Sequence, residues 1–97
     1  MSKLEQIIQT IKSEKSNLEK NYSLKEIGIF GSYLNGQAKE DSDVDLLVDF
    51  GQPVSLFKFT EMENYLSDLL HIKVDLVMKD ALKPHIGVRI LNEVQYL

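Results

Sequence analysis

Leu4, Ile7, Ile8, Ile11 and Leu18 recur at helical spacing among Lys, Glu, Gln and Ser. That pattern predicts an amphipathic helix over residues 2 to 20 that packs one stripe on a core. Residues 24 to 31, Leu-Lys-Glu-Ile-Gly-Ile-Phe-Gly, predict a short strand ending at a glycine. The polar, turn-rich stretch from Ser32 to Ser42 follows, the kind of segment on which function usually sits.

Val44, Leu46, Val48 and Phe50 then alternate with Asp43, Asp45, Leu47 and Asp49. A strand here turns four apolar side chains to one face and three acids to the other. Gly51-Gln52-Pro53 breaks it. Between Val54 and His71, the apolar residues Phe59, Met62, Leu66, Leu69 and Leu70 return to helical spacing. Lys73 to Met78 is a further strand, with Val74, Leu76 and Met78 on one side and Lys73, Asp75 and Val77 on the other. From Asp80 to Leu97 the pattern predicts a closing helix, with Pro84 in its first turn and Ile86, Ile90, Val94 and Leu97 on one face.

Strands alternating with helices in this way predict an α/β or α+β two-layer domain. Its small mixed sheet has about three strands, helices pack on one face, and the acids lie on the opposite, wetter face. Of the aromatic residues, Phe57 and Tyr65 are expected in the core, while Tyr33 sits in the polar loop. A length of 97 residues predicts one domain spanning 1–97, with one core.

Composition narrows the chemistry. With 43% hydrophobic and 27% charged residues the chain is expected to fold as an ordinary globular domain. It has no cysteine, which excludes disulfides and thiolate metal sites. No segment reaches the roughly 20 apolar residues of a membrane span, and the N-terminus lacks a signal-like apolar run, so a cytoplasmic location and no membrane association are expected. A net charge of −4 and a single arginine, Arg89, argue against direct nucleic-acid binding, which rests on clustered Lys and Arg. A phosphate bound here is expected to arrive with a divalent cation.

Asp43 and Asp45, two apart in a strand, project their carboxylates from one face about 6 to 7 Å apart. Asp75 holds the matching position on the next strand. Three oxygen donors of this kind suit Mg²⁺ or Mn²⁺ rather than Zn²⁺. Two like charges about 4 Å apart repel by on the order of 4 kcal/mol at an effective dielectric near 20, so such a cluster favours a cation. By pattern alone, an ordinary solvated strand face displays acids equally well. Upstream, Gly31-Ser32 ends the first strand, where a glycine lets a phosphate approach the backbone and the Ser32 amide and hydroxyl can donate to it. A Gly-Ser pair alone is weak, since Ser is also a common helix cap. His71 and His85 lack metal-ligand spacing to the carboxylates and read as surface or cap residues.

Gly31-Ser32, ten residues, then Asp43-Val44-Asp45 matches the GS-x10-DxD signature of the DNA-polymerase-β-like nucleotidyltransferase superfamily. The stretch from Gly28 to Phe50, with Lys73-Val-Asp-Leu-Val77 and Leu82-Lys-Pro84, resembles the minimal nucleotidyltransferase (MNT) antitoxins of HEPN/MNT toxin–antitoxin modules. The resemblance spans essentially the whole chain. Where many relatives carry arginine in a GS-x-x-R-G pattern this chain has Asn35 before Gly36, which removes a candidate phosphate or partner contact.

The resemblance implies a nucleotidyltransferase fold in which Ser32 contacts the nucleotide phosphates. It also implies that Asp43 and Asp45 hold two Mg²⁺ ions, and that Asp75 binds the catalytic ion and helps deprotonate the attacking hydroxyl. ATP is the implied donor. The implied acceptor and partner is a HEPN-domain RNase toxin in a hetero-oligomeric complex, silenced when AMP is placed on one of its tyrosines. The alternative is an antitoxin that neutralises by steric occlusion and keeps the nucleotide site as a vestige. A small-molecule acceptor is less favoured, because such enzymes generally carry an added helical domain.

Overall fold

The computed structural model describes residues 2–97. Helix α1 spans Lys3–Tyr22 and begins at Ser2, whose hydroxyl oxygen accepts from the Glu5 amide at 3.1 Å. It ends where Ser23 turns left-handed at φ 58°. Strand β1 (Leu24–Phe30) leads to the Gly31 loop, and β2 (Val44–Phe50) returns antiparallel to it. Helix α2 (Leu56–Leu70) starts at a Ser55 cap and stops at His71, again left-handed at φ 57°, so that histidine serves as a cap as expected. Strand β3 (Val74–Met78) lies parallel to β2, and α3 (Pro84–Glu93) follows a short 3-10 turn at Lys79–Ala81.

The sheet is mixed and has four strands, in the order β3-β2-β1-β4, one more than the sequence pattern predicts. The extra strand, β4, is only Gln95–Tyr96, antiparallel to β1, with the Leu97 amide donating to the Ile27 carbonyl at 2.9 Å. Two residues leave no alternation to read, and the strand exists only because β1 offers an edge. The closing helix therefore stops at Glu93 rather than continuing to Leu97. Its inward side also differs from the expected one. Gly87 is buried against Leu82, Ile90 and Val94 are half-buried, and Ile86 is 57% exposed. A residue with no side chain lets the connecting segment pack closely, and that contact turns Ile86 outward.

The main core lies between the sheet and the two long helices. Ile7, Ile11 and Leu18 of α1 and Met62, Leu66 and Leu70 of α2 meet Leu24, Ile27, Ile29, Val44, Leu46, Val48, Val74 and Leu76. Each such side chain contributes about 1.5–3 kcal/mol on leaving water. The four-residue step of Met62, Leu66 and Leu70 fixes the inward stripe of α2. Phe57, five residues before Met62, falls about 140° around the helix. It is 79% exposed, and Tyr65 is 40% exposed, so neither belongs to the core. Tyr65 instead lies at the flank of the stripe, where its hydroxyl donates to Glu14 of α1.

The edge strand β3 is closed by side chains of α2. Its outward amides, Val74 and Leu76, donate to Ser67 Oγ and Glu63 Oε2, each at 2.9 Å. Among the described residues, no helix is long and apolar enough to cross a membrane.

Candidate functional site

Register decides which carboxylates meet. Phe30 pairs with Asp45 across the antiparallel β1–β2 ladder, and Asp45 pairs with Asp75 across the parallel β2–β3 ladder. Neighbouring strands lie about 4.8 Å apart, so Asp45 and Asp75 stand side by side on the face turned away from α1 and α2. Asp43 lies one residue before β2 begins, next to the same end of the sheet. Among the described residues, no three ligating side chains are drawn together to ion-holding distance. Like charges stand apart unless a cation offsets their repulsion.

The acid-bearing face is not uniformly wet. Leu47, between Asp45 and Asp49, is only 1% exposed. Its register partner Gly28 shows why: a Cβ there would meet Val94 Cγ2 at 2.5 Å and Tyr96 Cδ1 at 3.3 Å. The Val94 side chain thus reaches over Gly28 on this face, next to the in-plane strand β4. The buried Leu47 separates the acids into two groups, with Asp43, Asp45 and Asp75 on one side of it and Asp49 on the other. At the far end, Lys79 pairs with Glu26 at 3.3 Å and stands 5.4 Å from the Tyr96 ring centroid.

Phe30 shares the acid-bearing face with Asp45 and is buried. The Asp45 carboxyl is held above its ordinary value, first by burial and then by the charges of Asp75 and Asp43. A carboxylate crowded by two others beside an apolar wall is chemically suited to a hard divalent cation, and the oxygen-only donor set fits Mg²⁺. Phe30 lies outside the GS-x10-DxD spacing. The alternation Gly28-Ile29-Phe30, with Ile29 inward, is the signal that places it opposite the core.

Gly31 follows at the end of β1 with φ +80°, a conformation that L side chains rarely adopt. A Cβ on it would overlap Asp45 Oδ2, so the glycine also leaves room for the carboxylate. The chain then makes a helical turn. The Asn35 amide donates to the Gly31 carbonyl at 3.1 Å and the Gln37 amide to the Ser32 carbonyl at 2.9 Å. Asn35 Oδ1 also accepts from the Gln37 amide, at 3.2 Å, which braces the turn at Gly36, where φ is +79°. Tyr33 and Leu34 are half-buried against the core and anchor the loop. Ser32 is thereby held at the end of the sheet that carries Asp45 and Asp75.

A mixed sheet with two helices on one face, and a Gly-Ser turn beside paired carboxylates on the other, defines the nucleotidyltransferase class of folds. The nucleotidyltransferase domain family matches residues 5–97, and the chain belongs to it. It is 50% identical over 97 residues to the protein adenylyltransferase MntA of Thermococcus cleftensis, covering 100% of this chain and 98% of that one. A solved structure provisionally described as a minimal nucleotidyltransferase superposes with a TM-score of 0.84 at 31% identity, covering 97% of this chain and 95% of the other. The fold also recurs in the solved complex of a tri-AMPylated Shewanella oneidensis HEPN toxin with an MNT antitoxin. There the TM-score is 0.70 at 20% identity, over 93% of this chain and 70% of that one.

Proposed function

We propose that the protein is a cytoplasmic antitoxin that transfers AMP from ATP to a tyrosine hydroxyl of a HEPN-domain toxin, with which it forms a hetero-oligomeric complex. The observation that carries this reading is the register that sets Asp45 beside Asp75 and next to the Gly31-Ser32 turn. The name of the Thermococcus relative and the AMPylated toxin in the Shewanella complex support the choice of acceptor.

In this reading Asp43, Asp45 and Asp75 hold two Mg²⁺ ions, and Gly31 and Ser32 hold the phosphates. Bound Mg²⁺ would supply charge neutralisation at the phosphates and a lower pKa for the attacking hydroxyl. The tyrosine oxygen bonds to the α-phosphorus, the bond from that phosphorus to the bridging oxygen breaks, and pyrophosphate leaves. Asp75 takes the hydroxyl proton. Gly31 keeps Asp45 in place by leaving it space, and the Ser32 amide and hydroxyl donate to phosphate oxygens.

Incubation with ATP labelled at the α-phosphate, Mg²⁺ and the toxin tests the reading. Label should pass to the toxin with the wild type and not with Asp43→Ala plus Asp45→Ala. If neither protein labels the toxin while both neutralise it fully, steric occlusion replaces transfer.

A further inference from the structure

One basic residue borders the candidate site without being engaged there. Lys73 stands between Ile72, which packs on the core, and Val74, which is buried in it. Alternation therefore directs the Lys73 side chain to the opposite face, the one that carries Asp75 two residues on. Its backbone is fixed in the ladder, since the Lys73 carbonyl accepts from the Val44 amide at 2.9 Å and Val74 pairs with Val44. Lys73 thus lies beside Asp43, one row outside Asp45 and Asp75, about 7 Å along the strand.

The side chain is exposed. Ion pairs among the described residues join Lys58 to Glu61, Lys79 to Glu26 and Arg89 to Glu93, and Lys73 takes part in none of them. A lysine whose task was to balance the neighbouring acids would be drawn against one of them. The Gly31–Gly36 turn carries no charged side chain, so it offers phosphates only amides and hydroxyls. Arg89, the single arginine, is occupied by Glu93 at 3.5 Å. The tail of a nucleoside triphosphate bound at this end of the sheet therefore has one free cation beside it in the ladder.

We propose that Lys73 binds the β- and γ-phosphates of the nucleoside triphosphate, the part released as pyrophosphate. The inference rests on the nucleotidyltransferase reading above. A lysine ammonium makes a compact point-charge contact with phosphate, and a charge-assisted hydrogen bond of that kind is worth roughly 10- to 100-fold in affinity.

Calorimetric titration with Mg·ATP and with AMP tests it on wild type, Lys73→Gln, Lys73→Arg and Lys12→Gln, the last removing an exposed charge on α1. Lys73→Gln should weaken Mg·ATP binding by roughly 10- to 100-fold while changing AMP binding less than about twofold. Lys73→Arg should retain most of the affinity, and Lys12→Gln should match the wild type. Unchanged Mg·ATP binding by Lys73→Gln overturns the proposal. So does an equal loss for ATP and AMP, or a gain in Mg²⁺ affinity with ATP binding untouched, which would make Lys73 a counter-charge to the acids. A folded wild type that binds no Mg·nucleotide would remove the nucleotidyltransferase reading itself, and this inference with it.

Discussion

Gly31 stands directly against the carboxylate of Asp45: a Cβ at position 31 would overlap Oδ2 and come within 3.0 Å of Cγ. The glycine thus meets two demands at once, a left-handed backbone at φ +80° and an empty volume for a neighbouring acid. Gly36 provides the contrast. It has φ +79°, yet a Cβ there would meet nothing within 4 Å.

Gly31→Ala and Gly36→Ala should separate these demands. Each costs about 1–2 kcal/mol for placing a side chain in the left-handed region, readable as a lower urea midpoint. Only Gly31→Ala displaces Asp45, and a misplacement of about 1 Å at a reacting centre can cost roughly 100-fold in rate. AMP transfer should therefore collapse in Gly31→Ala and survive in Gly36→Ala. Equal activity in the two variants would refute the link between Gly31 and Asp45.

The acid cluster predicts a pH dependence. The Asp45 carboxyl is raised above its ordinary value of 3.8, by burial first and then by Asp75 and Asp43. A group raised in the folded state favours folding below its unfolded pKa, and that contribution is lost as pH rises through the folded value. Without divalent ions, the wild type should therefore lose melting temperature over the range just above pH 3.8 relative to Asp45→Asn. Mg²⁺ should restore it in the wild type and do less in the variant. Melting curves across pH with EDTA or Mg²⁺ check both signs, and identical profiles for the two proteins would contradict the account.

Glu63 and Ser67 satisfy the outward amides of the edge strand β3. Glu63→Ala leaves the Leu76 amide unpaired, a loss of about 1.5–3 kcal/mol for a hydrogen bond to a charged acceptor. It also uncovers a strand edge that can pair with another copy. Denaturant unfolding should show the loss, and light scattering should show association that grows with concentration. A monodisperse Glu63→Ala at high concentration would show that the carboxylate is not what guards the edge.

Gly28→Ala should lift the chain end from the sheet, because its Cβ would meet Val94 Cγ2 at 2.5 Å and the Gln95 carbonyl at 3.1 Å. We expect faster proteolytic cleavage within residues 94–97 and greater exposure of Leu47, with α1 and α2 unchanged. Hydrogen exchange resolved by segment is the suitable measurement, and protection of β4 equal to the wild type would count against the contact.

The sequence by itself determined the long elements and the identity of the candidate residues. Ile7, Ile11 and Leu18, and Met62, Leu66 and Leu70, repeat often enough to declare helices. The alternation around Asp45 and Asp75 declares strands, because burial on one face imposes a period that the order of residues preserves. The ten residues between Gly31-Ser32 and Asp43 carried the family resemblance, and the family match extends over nearly the whole chain.

Tertiary structure alone decided the rest. Tyr65, at the flank of the α2 stripe, is apolar enough for a core, and only its contact with Glu14 of α1 shows that it sits at the rim instead. Strand β4 has two residues and no period, so only the open edge of β1 could create it. Val94 reaches Gly28, the register partner of the buried Leu47, from 66 residues away in the chain, a contact no local pattern encodes. The same is true of Gly31 and Asp45. Their residue types were legible, but that one makes space for the other depends on a β1–β2 register set by the whole buried face.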